Sequence, residues 1–570
     1  MIKKLQNIST IFLFGVFFFL LIQLGGYWWK GNSAGDTSMI ADFIAPTNKQ
    51  IIKPLNTEID FIDAKRTSQE IVSAIETDWA QLAFSTNGAS LDSLVFKRLV
   101  SGHMQEIPVI FPPVSTEQEK RCFLVGLAEK TPYYYTLEKV EKRSAHIDNS
   151  AGNSIDNNID SYELVYKAET DAVEIRKTFI VYNHIAKINL KLDIKPKQMA
   201  RDSIISNIAG NIANSMPSSI ADRVSGFVGG AIGAYKSIEP RIIFSCPFIP
   251  ALGTKDVLSS VVIDQNGVFK NTVRDKVDMQ RGFYKPALFG SQDTYFVHAL
   301  IEDKDQLGQQ FVQRAYYTTN GNHTLFSLLE GPSITAPYSC ELSFYFGPKE
   351  IGMLAAVDSR LEKTLGYSGI LAPLSKFLLY SLQWLYGYTG NYGWAIIALI
   401  MLMQLLMTPF TLQGERSGKK QKEFQKKMAY LQQRYKNDPE GLNRERTLLI
   451  QKNGIPGLGG CLPVLLFRVP TFFALNAVLN SAIELYQAPF LWISDLSAVD
   501  PYFIFPIFVM IGMLAQAFTF EAEQRVQMVI MALVMGWFTS NLSAGLALYI
   551  ATSTLLGVLQ TAFVRSFRMV

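Results

Sequence analysis

The chain has 570 residues, 48% of them hydrophobic and 18% charged, with a formal net charge of +4 and a mean hydropathy of +0.14. That charged fraction lies below the ~25% of an ordinary soluble domain. It excludes a disordered chain, a collagen and a wholly soluble globule, while a pure transporter would carry far fewer charges. A hydropathy near zero over this length is therefore an average of a membrane part and a soluble part.

The N-terminus reads Met-Ile-Lys3-Lys4, followed by an apolar run from about Ile8 to Trp29. A signal peptide has an apolar core of roughly 7–15 residues ending at small residues. This run is long enough for ~30 Å of hydrocarbon and ends in Gly25-Gly26-Tyr27-Trp28-Trp29. Residues 1–29 are expected to be an uncleaved anchor, with Lys3 and Lys4 holding its start in the cytoplasm.

Residues 30–369 are polar, and strand signals dominate from about 77 to 350. Trp79–Phe84, Ser93–Phe96, Glu174–Tyr182 and Ile188–Ile194 are short, alternating and rich in β-branched or aromatic residues. They predict an antiparallel β-sandwich. Two tracts, Ser144–Ser161 and Ser206–Ala234, read as loops. The five histidines (His103, His146, His184, His298, His323) are scattered through this region, which favours surface or satisfied core positions over metal binding. Four cysteines do not make a disulfide scaffold: Cys122, Cys246 and Cys340 allow at most one pair in the polar region, Cys461 sits in an apolar run, and no CxxC spacing occurs. No cofactor or metal is expected.

Residues 370–388 place Leu371, Leu374, Leu378, Leu382 and Leu385 on one helical stripe. The segment is too short and one-sided to span, so an interfacial amphipathic helix is expected. Five apolar segments follow, at 391–412, 458–483, 501–520, 526–541 and 544–564, making six spans with the anchor. The 413–456 loop carries 11 Lys/Arg against five acids, whereas 484–500 carries Glu484, Asp495 and Asp500 and no base. Arg565 and Arg568 follow the last span. The positive-inside rule then sets both termini in the cytoplasm and the 30–369 region outside, the periplasm of an inner membrane. Six of the seven tryptophans (Trp28, Trp29, Trp384, Trp394, Trp492, Trp537) fall near that outer face.

Phe424, Met428, Leu431 and Tyr435 form one stripe of a basic helix in 413–456, Asn437–Gly441 is a turn, and a second helix is expected from about Leu442 to Lys452. This basic hairpin is either a solvated loop or a docking surface for ribosomal RNA, anionic lipid or a nascent chain. Lys419, Lys420, Lys426, Lys427 and Arg434 are its candidate contact residues.

The five C-terminal spans hold no Asp, Glu, His or Lys and one deep charge, Arg468. At 1.5 Å per residue it lies ~15 Å inside its span. A central Arg costs about 3 to 17 kcal/mol unless it meets protein or water. Gln404, Thr408, Asn476, Asn480, Gln516, Thr552 and Thr554 could line a wet groove beside it; ordinary interhelical hydrogen bonding explains many of them equally well. Intramembrane relays, protease constellations and phosphate loops are missing from the motif set, so an enzyme is not expected, and moving or folding another molecule is favoured.

Several stretches carry a resemblance: Pro456-Gly-Leu-Gly-Gly-Cys-Leu-Pro-Val-Leu-Leu-Phe-Arg468, Gln487-Ala-Pro-Phe-Leu-Trp-Ile-Ser-Asp, Gly390-Asn-Tyr-Gly-Trp, Thr408-Pro-Phe-Thr, Ser543-Ala-Gly-Leu-Ala-Leu-Tyr and, more weakly, Asn87-Gly-Ala-Ser-Leu-Asp and Gly347-Pro-Lys-Glu. The sequence resembles the YidC membrane-protein insertases. The resemblance implies a periplasmic β-supersandwich, an interfacial helix and a five-helix core whose groove opens to cytoplasm and lipid. It implies no reaction, but insertion and folding of nascent inner-membrane proteins, alone or beside the Sec translocon. The lipid bilayer and the ribosome would be further partners, and DNA none. The family carries a positive residue on the second span, five residues before a proline. Here that position is Gln404, while Arg468 stands on the third span where the family usually has Gln. The charge would thus have moved between neighbouring helices. A scaffold that does not insert, or an anion transporter, are the alternatives.

Overall fold

The computed structural model describes residues 60–61, 70–100, 103–110, 121–127, 131–146, 158–197, 238–245, 258–279, 281–319, 325–367, 371–435, 438–453, 458–518 and 522–566. The expected anchor at 1–29 and the expected loop at Ser206–Ala234 lie outside them. The chain forms two compact units, one ending at Thr364 and the other starting at Leu365.

Alternating sequence makes the first unit. In β8 (Val173–Tyr182) the residues Val173, Ile175, Lys177, Phe179 and Val181 are buried, and in β9 (Lys187–Pro196) so are Ile188, Leu190, Leu192 and Ile194. A period of two turns one face of each strand inward. Three antiparallel sheets result. The smallest is a meander of β1 (Val72–Glu76), β2 (Ala80–Ser85), β3 (Ser90–Val100) and β4 (His103–Ile110). A five-stranded sheet runs in the order β13 (Phe283–Tyr284), β16 (Arg314–Thr319), β17 (Leu325–Glu330), β10 (Arg241–Ser245), β5 (Leu124–Gly126). The nine-stranded sheet runs β12 (Phe269–Val273), β11 (Ser259–Ile263), β14 (Leu288–Gln292), β15 (Phe296–Asp305), β18 (Tyr338–Pro348), β9, β8, β7 (Asn158–Glu169), β6 (Thr136–His146). The expected loop at Ser144–Ser161 is shorter than its composition implied: strand pairing runs to His146 and resumes at Asn158, because cross-strand backbone bonds outweigh weak side-chain propensity at a hairpin end.

The two smaller sheets pack on the largest. Phe179 of β8 meets Phe84 of β2 at 4.8 Å and Phe123, beside β5, at 5.7 Å. Phe244 of β10 meets Phe344 of β18 at 5.4 Å. At the point where the three sheets converge, alternation places Lys177 inward, fully buried. Its ammonium donates to the carbonyls of Gly88 at 2.5 Å, Phe123 at 2.9 Å and Ala89 at 3.3 Å and lies 5.0 Å from the Tyr135 ring. All three accepting residues have left-handed backbone (φ 70° at Gly88, 42° at Ala89, 68° at Phe123). One side chain thus joins β8, the β2–β3 turn and the entry to β5. Burial pulls its pKa well below the usual lysine range.

Of the histidines, His184 is exposed and pairs with Asp78 at 2.6 Å. His298 is buried: Nδ1 reaches the Ser245 carbonyl at 3.0 Å and the ring stacks on Phe346 at 4.2 Å, while Nε2 has no protein partner. Cys122 and Cys340 are buried free thiols, and burial pushes Cys122 up to about 12. After β18, α1 (Ile351–Val357) and a 3-10 turn (Ser359–Thr364) close the unit. Arg360, paired with Asp358, donates to the carbonyls of Ala287 and Ile301 and so fastens that turn to the nine-stranded sheet.

The second unit is helical: α2 (Ala372–Thr389), α3 (Tyr392–Arg434), α4 (Pro439–Asn453), α5 (Leu458–Ser481), α6 (Ile504–Ala517), α7 (Ala522–Thr539) and α8 (Ala544–Ser566). Helix α3 packs on α2, α5 and α8, and α6 packs on α7 and α8. Within the described residues no single helix is long and apolar enough to cross a membrane; Ala372–Thr389 and Tyr392–Thr408 meet that measure as a pair bent by 120°. The bend has a local cause. Gly390 ends α2 at φ 63°, donating to the Tyr386 carbonyl, and Asn391 starts α3 by accepting from the Gly393 amide at 2.9 Å.

The span end expected at 412 falls within one helix: α3 runs 43 residues, from Tyr392 to Arg434. The composition changes there from apolar to basic while the residues stay good helix formers, so the environment changes and the helix does not. The second arm starts at Pro439 rather than Leu442, because Asp438 accepts from the Gly441 amide at 3.0 Å and proline suits the first helical turn. In α2 the leucine stripe is the packed face, with Leu378 and Leu382 buried. An aromatic stripe is exposed instead: Phe377, Tyr380, Trp384 and Tyr388.

The 482–503 connection is an ordered plug. Asp495 accepts from the amides of Gln487 and Ser497 at 2.8 Å. Asp500 accepts from the Trp492 indole at 3.2 Å and caps α6 through the Phe505 amide at 2.9 Å. The carbonyls of Ala498 and Leu496 receive the first amides of α8, from Ala544 and Gly545. Asn391 donates to the Pro489 carbonyl, and a Cβ on Gly393 would stand 2.0 Å from the Phe490 ring.

Candidate functional site

The polar residues expected along the helices separate into two groups. On α3, the Gln404 amide donates to Gln560 Oε1 of α8 at 2.5 Å. Gln560 Nε2 in turn donates to the Thr408 hydroxyl at 3.5 Å, and that hydroxyl donates to the Gln404 carbonyl, one turn back, at 2.9 Å. The three residues close a neutral ring across the α3–α8 seam, and all are half-buried. Apolar side chains stand exposed beside it on both helices: Leu405 is 72% exposed and Leu559 56%. Gln516 of α6 approaches α8 one turn away, where a Cβ on Gly557 would lie 3.5 Å from its amide nitrogen. Thr554 packs on Gly512 of α6 and turns its hydroxyl back to the Ile550 carbonyl at 2.7 Å. Thr552 is half-buried on α8.

The second group sits at the start of α8. Asn480 donates to Asn476 Oδ1 at 2.9 Å, and Ser543 donates to Asn480 Oδ1 at 3.1 Å. Gln560 lies 16 residues beyond Ala544, the first residue of α8, or ~24 Å along the helix. The structure therefore does not bring Asn476 and Asn480 to Gln404; it uses them to fasten α5 to the turn that enters α8. Nearby, Gln383 of α2 donates to the buried carboxylate of Glu484 at 2.7 Å. Burial and that carboxylate hold the Tyr367 phenol above its ordinary range. Gln560 is one of several polar residues in the last apolar segment. Its pairing with Gln404 spans 156 positions, so only the helix packing discloses it. Arg468 lies on α5, and its side chain is outside the described residues.

Between the basic arms of α3 and α4 lies an open groove of about 470 Å³ lined by Lys426, Lys427, Tyr430, Leu431, Glu445, Leu448 and Leu449. Phe424, Met428, Leu431 and Tyr435 are half-buried as the expected stripe requires, and Lys426, Lys427 and Arg434 are exposed. The Arg434 guanidinium lies 5.9 Å from the Tyr435 ring. The side chains of Lys419 and Lys420 are outside the described residues.

Comparison with known proteins finds likenesses for the helical unit above all. Residues 384–569 match the family described as 60Kd inner membrane protein. A membrane protein insertase YidC of Geobacter sp. (strain M21) is 34% identical over 281 residues, 48% of this chain and 51% of that protein. Another, of Wolinella succinogenes, is 36% identical over 318 residues, 54% of this chain and 57% of that protein. The chain thus spans about half the length of the curated relatives it matches. A crystal structure of an active YidC insertase with its first transmembrane domain resolved covers 88% of this chain and 94% of its own, at 16% identity and a TM-score of 0.33. The likeness to this family covers residues 384–569, and to individual YidC insertases about half of the chain. The matching family is described as an inner membrane protein, and the relatives named are membrane protein insertases.

Proposed function

We propose that the chain is a membrane protein insertase and chaperone, which moves hydrophobic segments of nascent inner-membrane proteins into the bilayer, alone or with the Sec translocon. The observation that carries this reading is the half-buried Gln404–Thr408–Gln560 ring set among exposed apolar side chains. An apolar segment enters hydrocarbon downhill, but its polar flank must cross ~30 Å in which unpaired polar groups each cost several kcal/mol. A protein surface with apolar flanks and hydrogen-bonding groups at depth lowers that barrier for one strand of polypeptide. The six spans 1–29, 391–412, 458–483, 501–520, 526–541 and 544–564, cytoplasmic termini and a periplasmic β domain complete the arrangement. Arg468 is proposed to supply the groove's positive charge in place of Gln404, attracting acidic residues of the flank, and Thr552, Thr554 and Gln516 to line it. The hairpin, through Lys419, Lys420, Lys426, Lys427 and Arg434, is proposed to meet the nascent chain or the ribosome.

Liposomes containing only this protein test the reading. A single-span substrate with an acidic flank should insert far faster than into empty liposomes, and equal rates would refute it. Within that assay, Arg468→Ala should slow insertion of the acidic-flank substrate; a rate equal to the wild type removes the charge-swap idea. A scaffold that does not insert draws support from the neutral Gln404, and the same comparison separates it.

A further inference from the structure

The amides of Gln404 and Gln560 have an unusual setting. Counting from the first residues of their helices, Tyr392 and Ala544, they lie ~18 and ~24 Å along α3 and α8, deep in what the insertase reading makes the hydrocarbon layer. The ring is uncharged and uses only part of the hydrogen-bonding capacity of two amides and a hydroxyl. It is half exposed, and it lies on the seam between two helices rather than inside one of them. A primary amide offers one donor group and one acceptor, the same pair as a peptide group. In a medium without water, a peptide group and this ring therefore complement one another. Exchanging the Gln404–Gln560 bond for bonds to a passing backbone swaps amide for amide, with no charge to dehydrate and no polar group left unpaired. A cation at this place would instead favour acidic side chains and hold them.

We propose that the Gln404–Thr408–Gln560 ring is a binding site for the peptide groups of an extended polypeptide segment, opening to accept the backbone N–H and C=O of the translocating flank whatever its side chains. The inference rests on the insertase reading and gives these residues a hold on the flank that does not depend on its side chains. The exposed leucines on either side, Leu402 and Leu405 on α3 and Leu555 and Leu559 on α8, then hold the apolar part of the same chain.

The test uses the full chain in liposomes and two synthetic single-span peptides. One has a flank of glycine and serine; in the other every flank glycine is N-methylglycine, which lacks the N–H. Rates are divided by those in protein-free liposomes, since methylation alone eases crossing. For the wild type, methylation should lower protein-dependent insertion about tenfold. In Gln404→Met/Gln560→Met, which keeps side-chain volume, the unmethylated peptide should fall to the methylated rate, with no difference left between the two. Equal wild-type rates for both peptides overturn the proposal, as does a double variant that slows both by the same factor, the result expected if the ring only glues α3 to α8. Should the double variant not fold, the wild-type comparison decides by itself. A wild type that inserts neither peptide refutes the insertase reading and this inference with it; insertion of both at equal rates leaves that reading standing and removes only the amide site.

Discussion

Replacing Lys177 by Met removes a buried donor that joins β8, the β2–β3 turn and the entry to β5. The ammonium has three donors and meets three carbonyls, two of them at 2.5 and 2.9 Å and the third at 3.3 Å. Met fills nearly the same volume and donates nothing, so the carbonyls of Gly88, Ala89 and Phe123 are left in a dry core. Each buried acceptor without a partner costs about 1–3 kcal/mol. Counting the two short bonds fully and the long one not at all gives about 2–6 kcal/mol. Burial of the cation, which pulls its pKa down, offsets part of this because Met needs no dehydration. A net loss of about 3 kcal/mol follows, roughly a hundredfold in a local opening constant at 1.4 kcal/mol per decade. The left-handed residues at 88, 89 and 123 should open first, since their backbone is held against its own preference. Amide hydrogen exchange of the full chain in detergent reads this directly. Peptides covering 86–91 and 121–125 should lose about two orders of magnitude of protection, with a smaller loss in β6 and β12 at the sheet's edges. Unchanged protection in both peptides would refute the reasoning, because it would mean the carbonyls find other donors.

The same unit carries two opposed pH dependences. Burial holds His298 down at about 3, so between about pH 6.5 and 3 the unfolded chain binds a proton the native one refuses; stability falls as pH falls through that window, by at most about 5 kcal/mol, and His298→Gln should flatten the slope of an acid urea titration. Burial raises Asp303 from 3.8 to about 6, so the native state holds the extra proton and stability falls as pH rises from about 4 to 6; Asp303→Asn should remove that slope and be no less stable at pH 7. Gly393→Ala drives a Cβ into the Phe490 ring and should cost about 1–3 kcal/mol, lowering the melting temperature, with Phe490→Leu restoring most of it. Changing Lys419, Lys420, Lys426 and Lys427 to Gln should slow insertion in the liposome assay, and an unchanged rate would make the hairpin a solvated loop.

What the sequence discloses is what a single element decides alone. Alternation in β8 and β9 names their buried faces, and it already turns Lys177 inward, between Ile175 and Phe179. Its partners are hidden because they are backbone carbonyls 54 to 89 positions earlier, in turns whose left-handed conformation no side-chain pattern announces. Helix α3 shows the converse. Its change of composition after 412 reads as a boundary, because composition reports the surroundings of a helix and not its hydrogen bonds. In α2 both stripes are visible in the sequence, yet which one faces the protein is a property of α3 and α5. The leucines fit that packed seam, leaving Trp384 and Tyr388 outside, where an apolar body with a polar tip suits a water–hydrocarbon boundary.

The site follows the same division. That Gln404 is neutral where the resemblance implies a positive charge is read from one position. That the neutral amide has a second amide waiting for it, on a helix 156 residues away, is a consequence of α3 packing on α8. A lone glutamine at this depth would be a liability, since an unpaired amide in hydrocarbon costs several kcal/mol. Paired with Gln560 it is stable at rest and still offers a peptide group an equivalent partner. If Arg468 and this ring both act on the flank, they act on different parts of it, the charge on acidic side chains and the ring on the backbone. Removing the charge should then make insertion sensitive to the number of acidic residues, and removing the ring should not.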